Sequence, residues 1–78
     1  MYLHEYDFSQ FYEISAKKLL IEGLSEYAAD EIAKSVWEQL PNPNIRSCVQ
    51  IGCLVKNEPN IELAIADELQ NFKEYGGG

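Results

Sequence analysis

Residues 25–41, with the sequence SEYAADEIAKSVWEQLP, decide the fold because they carry the clearest amphipathic pattern in the chain. The apolar residues recur at three- and four-residue spacing, which places them on one face of an α-helix. This apolar face consists of Ala29, Ile32, Ala33, Val36, Trp37 and Leu40. The opposite face consists of Glu26, Asp30, Lys34 and Glu38. Ser25 is a preferred N-cap residue and Pro41 cannot continue a helix, so a helix is predicted between them.

A helix is also predicted upstream, over residues 8–22. Asp7 and Gln10 have the spacing of a capping box, and Gly23 is the residue type that commonly ends a helix. The apolar residues again recur at helical spacing, which predicts a broad buried face. That face consists of Phe8, Phe11, Tyr12, Ala16, Leu19 and Leu20.

The last helix is predicted to start at Asn60, directly after Pro59, with Glu62 in the first turn, where a negative charge suits the helix dipole. Its buried face consists of Ile61, Ala64, Ile65, Leu69 and Phe72. Gly76 can cap this helix, and residues 76–78 are predicted to form a flexible glycine tail.

Residues 45–55 fit two structures. A helix capped by Asn42, with Pro43 in its first position, would turn a mixed set of residues inward: Ile45, Cys48, Val49 and Gly52. Its opposite stripe would be mostly polar: Arg46, Gln50, Cys53 and Asn57. A strand would instead alternate Ser47, Val49, Ile51, Cys53 and Val55 on one face, and only residues 1–6 could pair with it. The helix is the preferred interpretation.

The predicted fold is therefore all-α, a compact bundle of four short helices in one domain over residues 1–75. The alternative is three helices plus a short two-stranded hairpin formed by residues 1–6 and 47–55. A chain of 78 residues is small enough that apolar burial and the entropy cost of folding nearly cancel. We therefore expect a partner, or a second copy in a homodimer, to contribute to its stability.

The charge balance is strongly acidic. Thirteen acidic residues against six basic ones give a net charge of −7. Only residues 42–59 have a positive balance, with Arg46 and Lys56 against Glu58. Such a chain repels the phosphates of nucleic acids and anionic membranes, which argues against binding either directly and in favour of a basic protein partner. The sequence has no targeting leader and no apolar run of about 18 residues, so a cytoplasmic, soluble protein is expected.

Residues suited to catalysis are sparse. Cys48 and Cys53 are interpreted as two buried thiols, and His4, the only histidine, cannot complete a metal site with them. The neighbouring carboxylates Asp30–Glu31 and Asp67–Glu68 point about 100° apart on a helix, so neither pair shares a site for acid–base chemistry. The chain is therefore expected not to be an enzyme, and no cofactor, metal or catalytic residue is predicted.

Two acidic helix faces are candidate partner-binding surfaces. The first consists of Glu26, Asp30, Glu31 and Glu38, and the second of Glu62, Asp67, Glu68 and Glu74. If the two faces lay side by side, their carboxylates could imitate the phosphate row of DNA for a nucleic-acid-binding protein. Lys34 and Lys73 interrupt the row, and an ordinary solvated surface is the simpler interpretation.

Two apolar groups are further candidates for contacts between molecules. Tyr2, Tyr6 and Tyr12 belong to an aromatic-rich N-terminus, and aromatic side chains often dominate binding interfaces. If residues 45–55 are helical, Leu54 and Val55 lie with Ile51 on the far side of a helix that is apolar almost all round. Leu54 or Val55 is therefore expected at a contact with a partner or a second copy.

The leading functional hypothesis is a non-enzymatic protein-binding module, an inhibitor or decoy that occludes a basic, nucleic-acid-binding partner. A first alternative is a helix-turn-helix regulator that binds DNA as a dimer through Asn44, Arg46, Ser47 and Gln50. The scarcity of basic residues counts against this alternative, because DNA readers need several phosphate contacts. A second alternative is a structural subunit of a larger assembly.

Overall fold

The computed structural model of the chain describes residues 7–75, and this part of the chain folds into four α-helices. They are α1 (Phe8–Ile21), α2 (Glu26–Gln39), α3 (Ile45–Val55) and α4 (Ile61–Tyr75). The all-α bundle is confirmed. The hairpin alternative is wrong, because residues 47–55 lie within α3. The predictions for Tyr2, Tyr6 and the glycine tail at 76–78 lie outside the described residues.

The boundaries of α1 follow from local sequence signals. The Asp7 carboxylate accepts a hydrogen bond from the Gln10 amide at 2.9 Å, and the Gln10 side chain accepts one from the Asp7 amide at 3.4 Å, which completes the predicted capping box. At the other end Gly23 has a φ of 106°, a left-handed conformation that glycine adopts without steric cost. This conformation lets the Leu24 amide bond the Leu19 carbonyl at 3.1 Å and closes the helix.

The other helices also begin at side chains that cap their first turns. The Ser25 hydroxyl accepts from the Ala28 amide at 3.1 Å, as predicted for α2. The Asn60 side chain accepts from the Leu63 amide at 3.1 Å at the start of α4. The prediction that Asn42 caps α3 is wrong: Asn44 does so, through a bond of 2.8 Å from the Ser47 amide. Pro43 therefore precedes the helix.

The core lies around a central pair, α2 and α3. Each of these helices packs against both α1 and α4, whereas no Cα atom of α1 lies within 8 Å of one in α4. The largest fully buried side chains are Phe11, Leu19, Ile32, Ile51, Val36 and Val55. The stripe predicted for α2 is buried as expected, with Trp37 half-buried at its edge.

The buried face of α3 differs from the prediction. Cys48 and Gly52 point inward as expected, but Ile51 and Val55, expected on the far side, are 0% and 1% exposed. The rotation follows from the packing of α1 on α3. A Cβ atom on Gly52 would stand 2.3 Å from a methyl group of Leu19, so α1 can pack this closely against α3 only where α3 carries a glycine. Leu54 is then left outside, 57% exposed.

Three further side chains are more exposed than predicted. Phe8 and Leu20 lie at the margins of the apolar face of α1 and are exposed, although Phe8 still packs edge-on against Trp37, with ring centroids 5.5 Å apart. Cys53 is exposed rather than buried. It follows Gly52 on α3 and is turned about 100° away from that buried position.

Candidate functional site

An open and mostly apolar groove lies between α3 and α4. Its volume is about 580 Å³. Helix α3 contributes Val49, Gln50, Cys53 and Leu54. Helix α4 contributes Glu68, Asn71, Phe72 and Tyr75. The volume and the apolar lining are within the range of surfaces that bind ligands or protein segments.

The groove leaves large apolar side chains in water. Leu54 and Tyr75 are 57% and 78% exposed, and Phe72 is half-buried between the helices. Among the described residues that line the groove, Glu68 alone carries a charge. Of the two residues expected at an intermolecular contact, Leu54 is therefore available to a partner. Val55 is not, because it is part of the core.

A smaller cleft separates α2 from α4 on the other side of α4. It has a volume of about 130 Å³ and brings Glu31 of α2 and Glu62 of α4 to the same place. The Tyr27 hydroxyl donates a hydrogen bond to the Glu62 carboxylate. This bond to a carboxylate raises the pKa of Tyr27 to about 12, because ionising the phenol would break it and place two negative charges together. Tyr27 thereby links α2 and α4 at the protein surface.

A second tyrosine–carboxylate pair joins α1 to α2. The Tyr12 hydroxyl donates to Asp30 Oδ1 at 2.5 Å, and Lys34 Nζ lies 3.2 Å from Asp30 Oδ2. The hydrogen bond with Tyr12, and then the contact with Lys34, lower the pKa of Asp30. The same hydrogen bond raises the pKa of Tyr12, and nearby Glu26 acts in the same direction. The polar ends of Tyr12 and Asp30 are thus already used within the chain.

The predicted acidic residues on α2 therefore face in different directions. Glu31 meets Glu62 of α4 in the cleft between these helices. Glu26 and Asp30 lie towards Tyr12 of α1, and Glu38 is exposed. On α4, Glu68 faces α3 instead. The structure brings one predicted pair of carboxylates together and spreads the others around the bundle, so they do not form a single straight row.

Three basic side chains contact other residues of the same chain. Lys34 pairs with Asp30, Lys56 donates to the Glu22 carbonyl at 3.2 Å, and Lys73 donates to the Gln39 side chain at 3.1 Å. Half of the six basic residues are thus drawn onto neighbouring helices or turns. Lys73 thereby lies beside the α2–α4 cleft, because Gln39 lines that cleft with Glu31 and Glu62.

The residues of the DNA-binding alternative do not form a common reading surface. Arg46 and Gln50 are exposed on α3, and Gln50 lines the groove. Ser47 is only 5% exposed, and its hydroxyl bonds the Asn44 side chain at 3.2 Å. Because Asn44 also caps α3, both residues are occupied in starting the helix.

The two thiols have different surroundings. Both cysteines are free, Cys48 buried beside Ser15 and Cys53 exposed in the groove. Burial raises the pKa of the Cys48 thiol to about 11, which keeps it protonated. The Cys53 thiol lies 3.7 Å from a carboxylate oxygen of Glu22. Only Cys53 is accessible to reagents.

Phe72 and Tyr75 of the groove were not singled out as a binding surface from the sequence, and Glu68 was singled out only as part of an acidic face. Glu68, Phe72 and Tyr75 lie four and three residues apart and therefore share one face of α4. That spacing was visible in the sequence. What the sequence does not contain is the orientation of α3, which places Leu54 and Cys53 opposite this face.

Comparison with known proteins finds no protein-family profile that matches this chain, and no similar curated protein or solved structure. Within residues 7–75, no helix is both long and apolar enough to cross a bilayer. The same residues contain no group of three or more histidine, cysteine, aspartate or glutamate side chains placed to hold a metal ion. Functional conclusions therefore depend on the surfaces described above.

Proposed function

We propose that this chain is a protein-binding module that docks on a basic protein through the acidic surface around α4. In binding, it occludes the partner's own nucleic-acid site. The observation that supports this proposal is the placement of α4 between two concave surfaces that each carry carboxylates. Glu31 and Glu62 lie on one side and Glu68 on the other.

The electrostatics of the whole chain favour such a partner. A net charge of −7 attracts a basic surface over distances of about one Debye length, roughly 8 Å at physiological ionic strength. Charge complementarity of this type raises association rates and selects among partners.

A binding competition tests the proposal. Basic nucleic-acid-binding proteins from the same cell would be incubated with labelled duplex DNA, and the chain would be added at increasing concentration. We expect release of DNA from one particular protein, and an effect that weakens as salt is raised. No competition against any basic protein at low salt would contradict the proposal.

Two double variants with the same net charge locate the surface. Glu62→Gln/Glu68→Gln removes charge on both sides of α4, and Glu13→Gln/Glu58→Gln removes the same charge from exposed positions elsewhere. A glutamine at position 62 can still accept the Tyr27 hydrogen bond. We expect the first variant to lose about tenfold more affinity than the second, which corresponds to about 1.4 kcal/mol. Equal losses would mean that only net charge matters.

A further inference from the structure

We infer that the groove between α3 and α4 binds an amphipathic helix of the basic partner, with apolar residues on Leu54, Phe72 and Tyr75 and a lysine or arginine on Glu68. This inference rests on the proposed function and specifies the element of the partner that makes the contact. Its basis is the combination of exposed apolar side chains, groove length and charge in one place.

The dimensions of the groove suit a short helical contact. The residues that line it on α4 run from Glu68 to Tyr75, which is about 10 Å, or two helical turns, at a rise of 1.5 Å per residue. A helix that lies in such a groove presents anchors at positions i, i+3 or i+4, and i+7. Three apolar anchors at this spacing could contact the three large apolar side chains of the groove, which are Leu54, Phe72 and Tyr75.

The charge of the groove determines which helices fit. Within residues 7–75, the lining of the groove carries one acidic side chain, Glu68, beside apolar, aromatic, amide and thiol groups. A carboxylate beside apolar groups favours an occupant that brings a cation to it, because burying the carboxylate without a partner is costly. An acidic amphipathic helix of the same shape would meet repulsion from Glu68 and from the net charge of the chain.

The same charge argues against a second copy in the groove. Two chains of net charge −7 repel each other, and a two-fold contact centred on this groove would bring the two Glu68 side chains into one interface. With a cationic helix, both the net-charge interaction and the contact with Glu68 become attractive. The favoured occupant is therefore a basic segment of another protein.

Cys53 provides a direct measurement of groove occupancy. It lines the groove and is exposed, while Cys48 is buried, so a thiol reagent modifies Cys53 selectively. The probe is a synthetic peptide of about 20 residues with leucine at positions i, i+4 and i+7, four lysines at other positions and alanine elsewhere, because helices shorter than about 12–15 residues are marginal in water and adjacent lysines repel. At a peptide concentration of ten times its Kd, about one groove in eleven is free, so alkylation of Cys53 should slow about tenfold.

Two control peptides test the recognition. One keeps the leucines and replaces lysine by glutamate, and the other has the composition of the probe in scrambled order. Neither should protect Cys53. Equal protection by the scrambled peptide would overturn the inference, because simple charge attraction would then explain binding.

Matched variants of the chain test the geometry. Leu54→Ser should weaken the lysine peptide about tenfold, whereas Leu63→Ser, at an equally exposed leucine of α4 outside the groove, should have no effect. Glu68→Lys should lower affinity for the lysine peptide and raise it for the glutamate peptide. Asp67→Lys changes the net charge equally from a position outside the groove and should not reverse the preference.

Other occupants give different results. Alkylation that slows as protein concentration rises without peptide, together with a dimer in sedimentation equilibrium, would place a second copy in the groove and overturn the inference. Faster alkylation after serine replaces Tyr2, Leu3 and Tyr6 would assign the groove to the chain's own N-terminus, with the same consequence. If a basic protein binds without protecting Cys53, the inference fails while the proposed function stands. If no basic protein binds at all, the proposed function fails.

Discussion

The two sides of α3 are both apolar, yet one is closed and the other open. Towards α1, Gly52 lets Leu19 pack directly on the backbone, and no room is left for an additional methyl group. Towards α4, Leu54 and Cys53 project past the neighbouring helix and a groove of about 580 Å³ remains. The comparison shows that apolar composition alone does not close an interface. In this chain the closed side of α3 carries a glycine where Leu19 packs against it.

The largest expected effect separates two residues of similar size on the two sides of α3. Ile51→Ala should lower the free energy of unfolding by about 2–5 kcal/mol, because Ile51 is fully buried and its removal leaves a cavity. Leu54→Ala should cost less than about 1 kcal/mol, since this side chain is already 57% exposed. Urea denaturation of both variants measures the difference. Similar losses would show that the groove is closed in solution.

The second prediction concerns the glycine that closes the α1 side. Gly52→Ala should destabilise the chain by up to about 2 kcal/mol, because overpacking costs about 1–3 kcal/mol and the better helix propensity of alanine returns about 1 kcal/mol. In a Leu19→Ala background the colliding methyl group is absent, so Gly52→Ala should cause little of this destabilisation. A double-mutant cycle by urea denaturation gives the coupling. Additive effects would contradict direct packing of Leu19 on Gly52.

A smaller effect is expected for a polar atom inside the closed interface. The Ser15 hydroxyl is buried and has no hydrogen-bond partner of acceptable geometry, although it lies beside Cys48. Ser15→Ala should therefore leave stability unchanged or raise it by up to about 1 kcal/mol. Ser47→Ala is the matched control, and it should cost about 1 kcal/mol because the Ser47 hydroxyl is bonded to Asn44. Thermal denaturation of the two variants tests the contrast, and a clear loss in Ser15→Ala would reveal a bond to this hydroxyl.

The smallest effect compares the two tyrosine–carboxylate bonds on either side of α2. The pKa of Asp30 is lowered in the folded chain, so its contribution to stability is present above the unfolded value of about 3.9 and is lost as pH falls through the folded value. Tyr12→Phe should raise the pKa of Asp30, measured by NMR titration, and should reduce the loss of stability at acidic pH. Tyr27→Phe removes the bond on the α4 side and should leave the titration of Asp30 unchanged.

The sequence was sufficient for features that depend on neighbouring residues. Asp7 with Gln10, and Ser25, cap the helices that they were predicted to cap, because a capping bond spans only three residues. The stripe of α2 was also predictable, since its apolar and charged faces are cleanly separated. Asn42 was predicted to cap α3 because Pro43 suits the first position of a helix, but the helix begins two residues later and Asn44 caps it.

The orientation of α3 was predicted incorrectly, although a helical stripe marks its buried face. Cys48, Ile51, Gly52 and Val55 recur at spacings of three and four residues and all are buried. Val49 and Leu54 widen the apolar surface of the helix, and Val55 was placed outside when it lies in the core. The choice is made by Gly52 and Leu19, which are 33 positions apart. The groove between α3 and α4 likewise depends on contacts between residues that are far apart in the sequence. Leu54 was singled out correctly as an exposed apolar residue, but its partners on α4 depend on how two helices meet.

The separation of α1 from α4 has a consequence for the dynamics of the chain. Helix α4 packs only on the central pair, and Ile65 and Leu69 are its only buried residues, against five on α2. Helix α4 has the fewest buried residues of the four helices, so its detachment is expected to be the cheapest sub-global opening of the bundle. Backbone amides of α4 should then exchange with deuterium before those of α2. A ligand that contacts both α3 and α4 would slow the deuterium exchange of α4, because it would hold this helix against the rest of the bundle.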